Sequence, residues 1–212
     1  MRQIYDLILG ISIVVASTQY RHWKTDKLIL IGLLLVLTGV IEYVGAWMSS
    51  NKIHNEWLYN IFFVIEFSVF ALTIFKEINN QTYKKIIAFS YLSYLILVII
   101  NITFIQPITQ FHIYTFAFGS LLMIMTSGLF LYELINYSEN NFFRVPFFWI
   151  CTGLLFFYVG NFLLMSSLNY VNVNFKGLAK KLFLITELLS ILEYTLFIMA
   201  FLCKRIFRTS HL

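Results

Sequence analysis

Residues 182–203 read LFLITELLSILEYTLFIMAFLC, and this stretch decides the fold. As a helix its 22 residues make a rod of roughly 33 Å at about 1.5 Å per residue, enough to cross a bilayer. Two carboxylates, Glu187 and Glu193, interrupt it. At about 100° per residue, Thr186, Glu187, Ser190, Glu193 and Tyr194 share an arc of roughly 120°, and the rest of the surface is Leu, Ile, Phe and Met. Ionisable groups facing lipid are strongly disfavoured, so the polar stripe turns toward protein or trapped water. The stretch reads as one wall of a polar interior in a membrane bundle.

Working outward, six more apolar runs precede it, at about 4–19, 28–48, 57–75, 86–105, 113–135 and 146–168. Each is near the ~20 residues of a spanning helix, the first being the shortest. Short polar stretches such as SSNKIHNE and KEINNQTYKK join them. The expectation is an all-α membrane protein, a seven-helix bundle forming one domain over 1–212. Composition agrees: 60% of the 212 residues are hydrophobic and 12% charged, against about 25% charged in soluble domains. The net charge of +5 comes from Lys and Arg placed between the runs. They form no basic face, which argues against nucleic acid as a partner.

Ten of the 15 Lys and Arg residues fall on one side if the amino terminus is outside, so the charge bias predicts N-out and C-in. Reading the first run as a cleaved signal peptide, with Val14-Val15-Ala16 before the cut, would reverse that bias; it is kept as a structural helix. Cys151 and Cys203 are expected to be free thiols near the cytoplasmic side.

A faint repeat joins the second and third runs to the sixth and seventh. Thr38-Gly39, Tyr43-Val44-Gly45 and Met48-Ser49-Ser50 recur as Thr152-Gly153, Tyr158-Val159-Gly160 and Met165-Ser166-Ser167. Ile65-Glu66-Phe67 likewise matches Leu192-Glu193-Tyr194, and Asn60 matches Glu187. Two parallel three-helix units joined by the fourth helix would follow, with Glu66 and Glu193 facing each other near the axis.

The polar residues carry the functional argument. Thr38, Glu42, Gly45 and Ser49 share one face of the second run, and Tyr59, Glu66 and Thr73 share one face of the third. Glu66 and Glu193 lie near the middle of their runs and Glu42 and Glu187 in the outer half, with Asn101, Asn161 and His112 on that outer side; Glu133, near the inner end of the fifth run, reads as interfacial. No Lys or Arg lies inside any run, so the four membrane-depth acids have no evident basic partner. A charged carboxylate at mid-helix costs about 3 kcal/mol, and keeping a free glutamate protonated at pH 7 costs about 3.7 kcal/mol. The two are too close for magnitude alone to choose the protonation state. The candidate ligand- or ion-binding set is Glu42, Glu66, Glu187, Glu193, Asn161, Asn101, His112, Tyr59, Ser190 and Tyr194. Taken singly, each acid would equally serve as a protonated group joining two helices.

Several chemistries lack their residues. Residues 182–203 hold no lysine for a retinal Schiff base, and the four histidines, mostly in loops, do not form the His-rich metal site of ceramidase-like membrane hydrolases. Neither a metal nor a cofactor is expected, and no catalytic residue is assigned. The inferred layout resembles that of the three-plus-one-plus-three sugar transporters. Their Pro-Gln loop signature is missing here, Gln106-Pro107 having the reverse order, and the analogy reaches only the fold.

WLYNIFFVIEF (57–67), NITFIQ (101–106), PFFWICTGLLFFYVGNF (146–162) and ILEY (191–194) resemble a group of small bacterial inner-membrane proteins. The resemblance implies a multi-pass seven-helix protein of the cytoplasmic membrane and brings no activity with it. The functional expectation therefore rests on the acids: a cavity lined by Glu42, Glu66, Glu187 and Glu193 that binds or transports a cation, a proton or a small cationic molecule. The alternative is a sensory module with a cytoplasmic signalling partner, docked or lipid-anchored through Lys204, Arg205 and Arg208. An intramembrane acid–base enzyme is the third reading.

Overall fold

The computed structural model describes residues 2–19, 28–137, 142–174 and 176–208; the side chains of 137, 166–181, 183 and 204–208 stand outside that description. Within it the chain forms seven α-helices and no strand: α1 (Arg2–Gln19), α2 (Leu28–Ser50), α3 (Glu56–Glu77), α4 (Gln81–Ile100), α5 (Ile113–Tyr137), α6 (Pro146–Asn174) and α7 (Lys176–Arg208). Helices α2 to α7 are long and apolar enough to cross a membrane. Helix α1 is not among them: it spends its first two turns on Arg2, Gln3 and Asp6.

Local chemistry sets the boundaries. Asn80 caps α4, its Oδ1 accepting from the amides of Thr82 (2.8 Å) and Tyr83 (3.3 Å). Pro146 opens α6, where a missing amide hydrogen costs nothing. At its far end α4 widens into a π-turn, Asn101–Ile105, closed by the Gln106 amide on the Asn101 carbonyl at 2.9 Å.

The last two helices run past the expected limits of 168 and 182. Helix α6 has 29 residues and α7 has 33. The stretch between the two apolar runs, expected as a loop, is therefore mostly helix. Its asparagines and lysines end the hydropathy of the runs, but they do not break the backbone.

Six helices close a ring in the order α1, α2, α3, α5, α6, α7 and back to α1, while α4 lies against α3 and α5. Helix α4 shows a single buried stripe, Ile87, Ser90, Tyr94 and Val98. Phe89, on its other side, is 72% exposed, as suits a surface solvated by lipid tails. With no hydrophobic drive between helices in lipid, close packing must hold the ring. Gly119 of α5 marks one close approach: a Cβ there would stand 2.7 Å from Phe67 and 3.0 Å from Tyr94. Phe67 stacks at 5.1 Å on Tyr94 and 5.2 Å on Tyr158, binding α3 to α4 and α6. Cys151 and Cys203 are free and buried.

Candidate functional site

A cavity of about 470 Å³ lies between α1, α2, α3 and α7, at the end of the bundle that carries the amino terminus. Its position follows from local packing. Asn55, in the α2–α3 turn, donates from Nδ2 to the Gly45 carbonyl at 2.9 Å and fixes that turn. Tyr59, one helical turn on, packs its hydroxyl over Gly45, where any Cβ would collide with it. Small residues on α2 thus let the phenol of α3 come forward as a wall.

The lining is acidic and aromatic. Glu42, Glu56 and Glu187 supply carboxylates; Tyr5, Tyr59, Phe63 and Phe111 supply rings; Thr186 and Ser190 continue the polar stripe of α7. The two hydroxyls of that stripe are spent within α7: Ser190 Oγ donates to the Thr186 carbonyl at 3.0 Å and Thr186 to that of Leu182 at 3.4 Å. Glu187 Oε2 and Glu56 Oε2 are both buried without a hydrogen-bond partner, His54 Nδ1 standing 3.4 Å from the latter.

Glu42 corrects the expectation that nothing basic reaches these acids. Arg2 Nη2 donates to Glu42 Oε2 at 2.6 Å. The same guanidinium holds Asp6 through Nε at 3.3 Å and lies over the Tyr5 ring at 4.9 Å. No run needed to contain a cation, because the side chain at the start of α1 reaches down to α2. Among the described residues, the lining sets three carboxylates against one guanidinium.

A second correction concerns depth. Of the four acids expected to share one void, Glu42 and Glu187 line it, while Glu66 and Glu193 lie farther inside the bundle. Glu66 is seven residues past Tyr59 and Glu193 six past Glu187, so both stand about 10 Å deeper at helical rise. Both are buried, and Glu66 Oε2 and Glu193 Oε1 have no hydrogen-bond partner. The Tyr158 hydroxyl of α6 stands beside the Glu66 carboxyl, just outside hydrogen-bond geometry, and feels both acids. Tyr194 is buried between these acids and the cavity wall, its ring 5.8 Å from that of Tyr5.

Other expected site residues serve the scaffold. His112 and Asn101 hold the connection from α4 to α5. The His112 amide donates to Asn60 Oδ1 at 3.0 Å, and Asn60 Nδ2 reaches the carbonyls of Gln110 (2.8 Å) and Ile108 (3.3 Å). Asn101 Nδ2 donates to Gln106 Oε1 at 3.2 Å. Asn161 is fully buried on α6, its Nδ2 on the Phe157 carbonyl at 3.1 Å and its Oδ1 unpartnered. Neither it nor His112 or Asn101 touches the cavity.

Glu133, read as interfacial, lies level with the α3–α4 turn and is buried against it. Its two oxygens accept from the amides of Asn79 (2.7 Å) and Asn80 (3.3 Å), tying α5 to the α3–α4 turn. The basic residues Lys204, Arg205 and Arg208, considered for docking or anchoring, have side chains outside the described residues. Arg2 and Tyr5 are the functional candidates that the sequence did not single out. The signal available was an arginine and a tyrosine one turn apart, opening the least apolar run.

Among the described residues, no group of three His, Cys, Asp or Glu side chains is disposed to hold a metal ion. What the arrangement can do is accept a positive charge into an aromatic-walled acidic space that lies above a drier pair of acids. No protein family, curated protein or solved structure matches the chain, and the site stands on its own geometry.

Proposed function

We propose that this multi-pass membrane protein binds a small organic cation in the cavity between α1, α2, α3 and α7 and carries it across the bilayer. The observation that carries the reading is the cavity's lining: three carboxylates, one of them already holding a guanidinium, with four aromatic rings around about 470 Å³. That volume falls in the range of small-molecule sites, roughly 300–1,000 Å³. Aromatic faces add about 0.5–2 kcal/mol for a desolvated cation. Arg2 is a tethered example of the ligand chemistry, a flat cation on a carboxylate with a phenol ring beside it. A free guanidinium or ammonium would compete with it for Glu42 and meet Glu187 unpaired.

The same reading takes α1 as a seventh span, the cavity as outward-facing and the carboxyl terminus as cytoplasmic, with the excess of Lys and Arg inside. The compartment in this reading is the bacterial cytoplasmic membrane, for which six apolar spans are suited. The internal repeat belongs to the reading too. A ring in which α3 meets α5 and α7 meets α1, with α4 set aside, is what two parallel three-helix units would produce. Gly45 against Tyr59 of α3 and Gly160 against Leu189 of α7 are matching close approaches. Tyr43, 77% exposed, and Tyr158, fully buried, mark where the halves have diverged.

Uptake of radiolabelled methylguanidinium into proteoliposomes tests the proposal. Wild-type protein should give saturable uptake that Glu187→Gln reduces at least tenfold. Uptake no greater than that of empty liposomes would overturn transport, and saturable binding without uptake would describe a sensory module instead.

A further inference from the structure

The cavity accounts for Glu42 and Glu187 and leaves Glu66 and Glu193 without a task. They project from α3 and α7 into the middle of the ring, 8% and 2% exposed, each with one orphaned oxygen. Tyr158, fully buried on α6, brings a third orphaned polar atom, its hydroxyl, to the same place. A buried polar atom left unpaired is costly, so three together in a close-packed core call for something transient that joins them.

The surroundings say what that something is. Among the described residues, the titratable groups facing the pair are Tyr158 from α6, Tyr94 from α4, Tyr194 from α7 itself and Glu42 from α2, with Tyr5 of α1 behind Tyr194. None of these is a cation. Phe70 of α3 and Phe197 of α7, each one turn past its glutamate, meet at 6.0 Å across the ring, so the two carboxylates stand at one level of the core; placed there without a cation, they are not both ionised. Hard metal ions need about six oxygens, usually including main-chain carbonyls. Helices α3, α6 and α7 run unbroken through Glu66, Tyr158 and Glu193, so their carbonyls are committed to the helix. A proton needs only two oxygens.

We propose that Glu66 and Glu193 form a proton-exchange site that holds one proton on either of the two carboxyls, with the Tyr158 hydroxyl turned to whichever is ionised. Loading forms one O–H bond on a carboxylate and takes H⁺ from water in the cavity; unloading reverses this, and no electron moves. Tyr5 and Tyr194 provide the path. Tyr5 lines the cavity, Tyr194 lies behind it within reach of both acids, and their hydroxyls are neighbours. The inference deepens the cation-carrier reading by naming the coupling ion, yet the site does not depend on the cavity's occupant.

Infrared difference spectroscopy of the full chain in nanodiscs tests it through the carbonyl stretch of a protonated carboxyl. Wild type at pH 7 should show a band of one carboxyl. Because either acid can keep the shared proton, Glu66→Gln and Glu193→Gln should each retain it, and the double substitution should lose it. Glu66→Asp, which keeps the acid, should restore the band if the glutamine variants fold poorly. A wild type without the band, or stepwise loss through the single variants, would overturn the proposal. So would disappearance of the band when NaCl replaces choline chloride, since that would give the site to Na⁺. Methylguanidinium uptake, measured separately, distinguishes a failed cavity from a failed proton site.

Discussion

Glu133 and the pair Glu66 and Glu193 are all buried carboxylates in helices that cross the same bundle, and their surroundings could hardly differ more. Both oxygens of Glu133 are taken by backbone amides of the α3–α4 turn. Glu66 and Glu193 each keep an orphaned oxygen among phenols. Burial is common to both cases and separates nothing; the difference lies in whether the hydrogen-bonding capacity is used. A carboxylate that accepts two amides stabilises a turn and has no capacity left for a ligand. One whose oxygen faces nothing permanent is held ready for something that comes and goes. The same contrast sorts the asparagines: Asn60 spends its amide on the α4–α5 connection, whereas Asn161 leaves its Oδ1 free.

The comparison breaks most visibly under unfolding in mixed detergent micelles. Glu133→Ala should cost about 3 kcal/mol, since hydrogen bonds to a charged group contribute about 1.5–3 kcal/mol and two are lost. Glu66→Gln and Glu193→Gln, which remove no protein hydrogen bond, should stay within about 1 kcal/mol of wild type. Equal losses at all three positions would erase the distinction between a structural acid and a reserved one.

A smaller effect sharpens the same contrast. Asn60→Ala removes three hydrogen bonds to the α4–α5 connection and should destabilise the protein by about 2 kcal/mol. Asn161→Ala removes one bond to its own helix and should cost clearly less than Asn60→Ala. Hydrogen exchange at residues 106–113 provides the local check, rising in the Asn60 variant and unchanged in the Asn161 variant.

Much of this was legible in the sequence, and the parts that were not share a cause. Apolar runs of about twenty residues located the helices, because lipid forces each backbone to satisfy itself within one segment. The 100° periodicity of 182–203 set Thr186, Glu187, Ser190, Glu193 and Tyr194 on one stripe, of which Thr186, Glu187 and Ser190 line the cavity and Glu193 and Tyr194 are buried below it. Partners far along the chain were out of reach of such patterns. Arg2 meets Glu42 across 40 residues, and Glu133 meets Asn79 across 54. Both contacts depend on which helices are neighbours in the ring. The extensions of α6 and α7 escaped for a different reason: hydropathy reports where lipid ends, and a helix is free to continue beyond it. The two levels of the four acids followed from their positions along the runs; that only the outer pair lines the cavity followed from the packing of the helices.

The central claim is that an acidic, aromatic cavity takes a cation that Arg2 now imitates. Equilibrium binding of methylguanidinium to the protein in nanodiscs, followed by calorimetry, tests it most directly. Glu187→Gln should weaken binding about tenfold, equivalent to about 1.4 kcal/mol. Arg2→Gln, by vacating Glu42, should strengthen it several-fold. Affinities in both variants equal to wild type, or a loss on removing Arg2, would contradict the account.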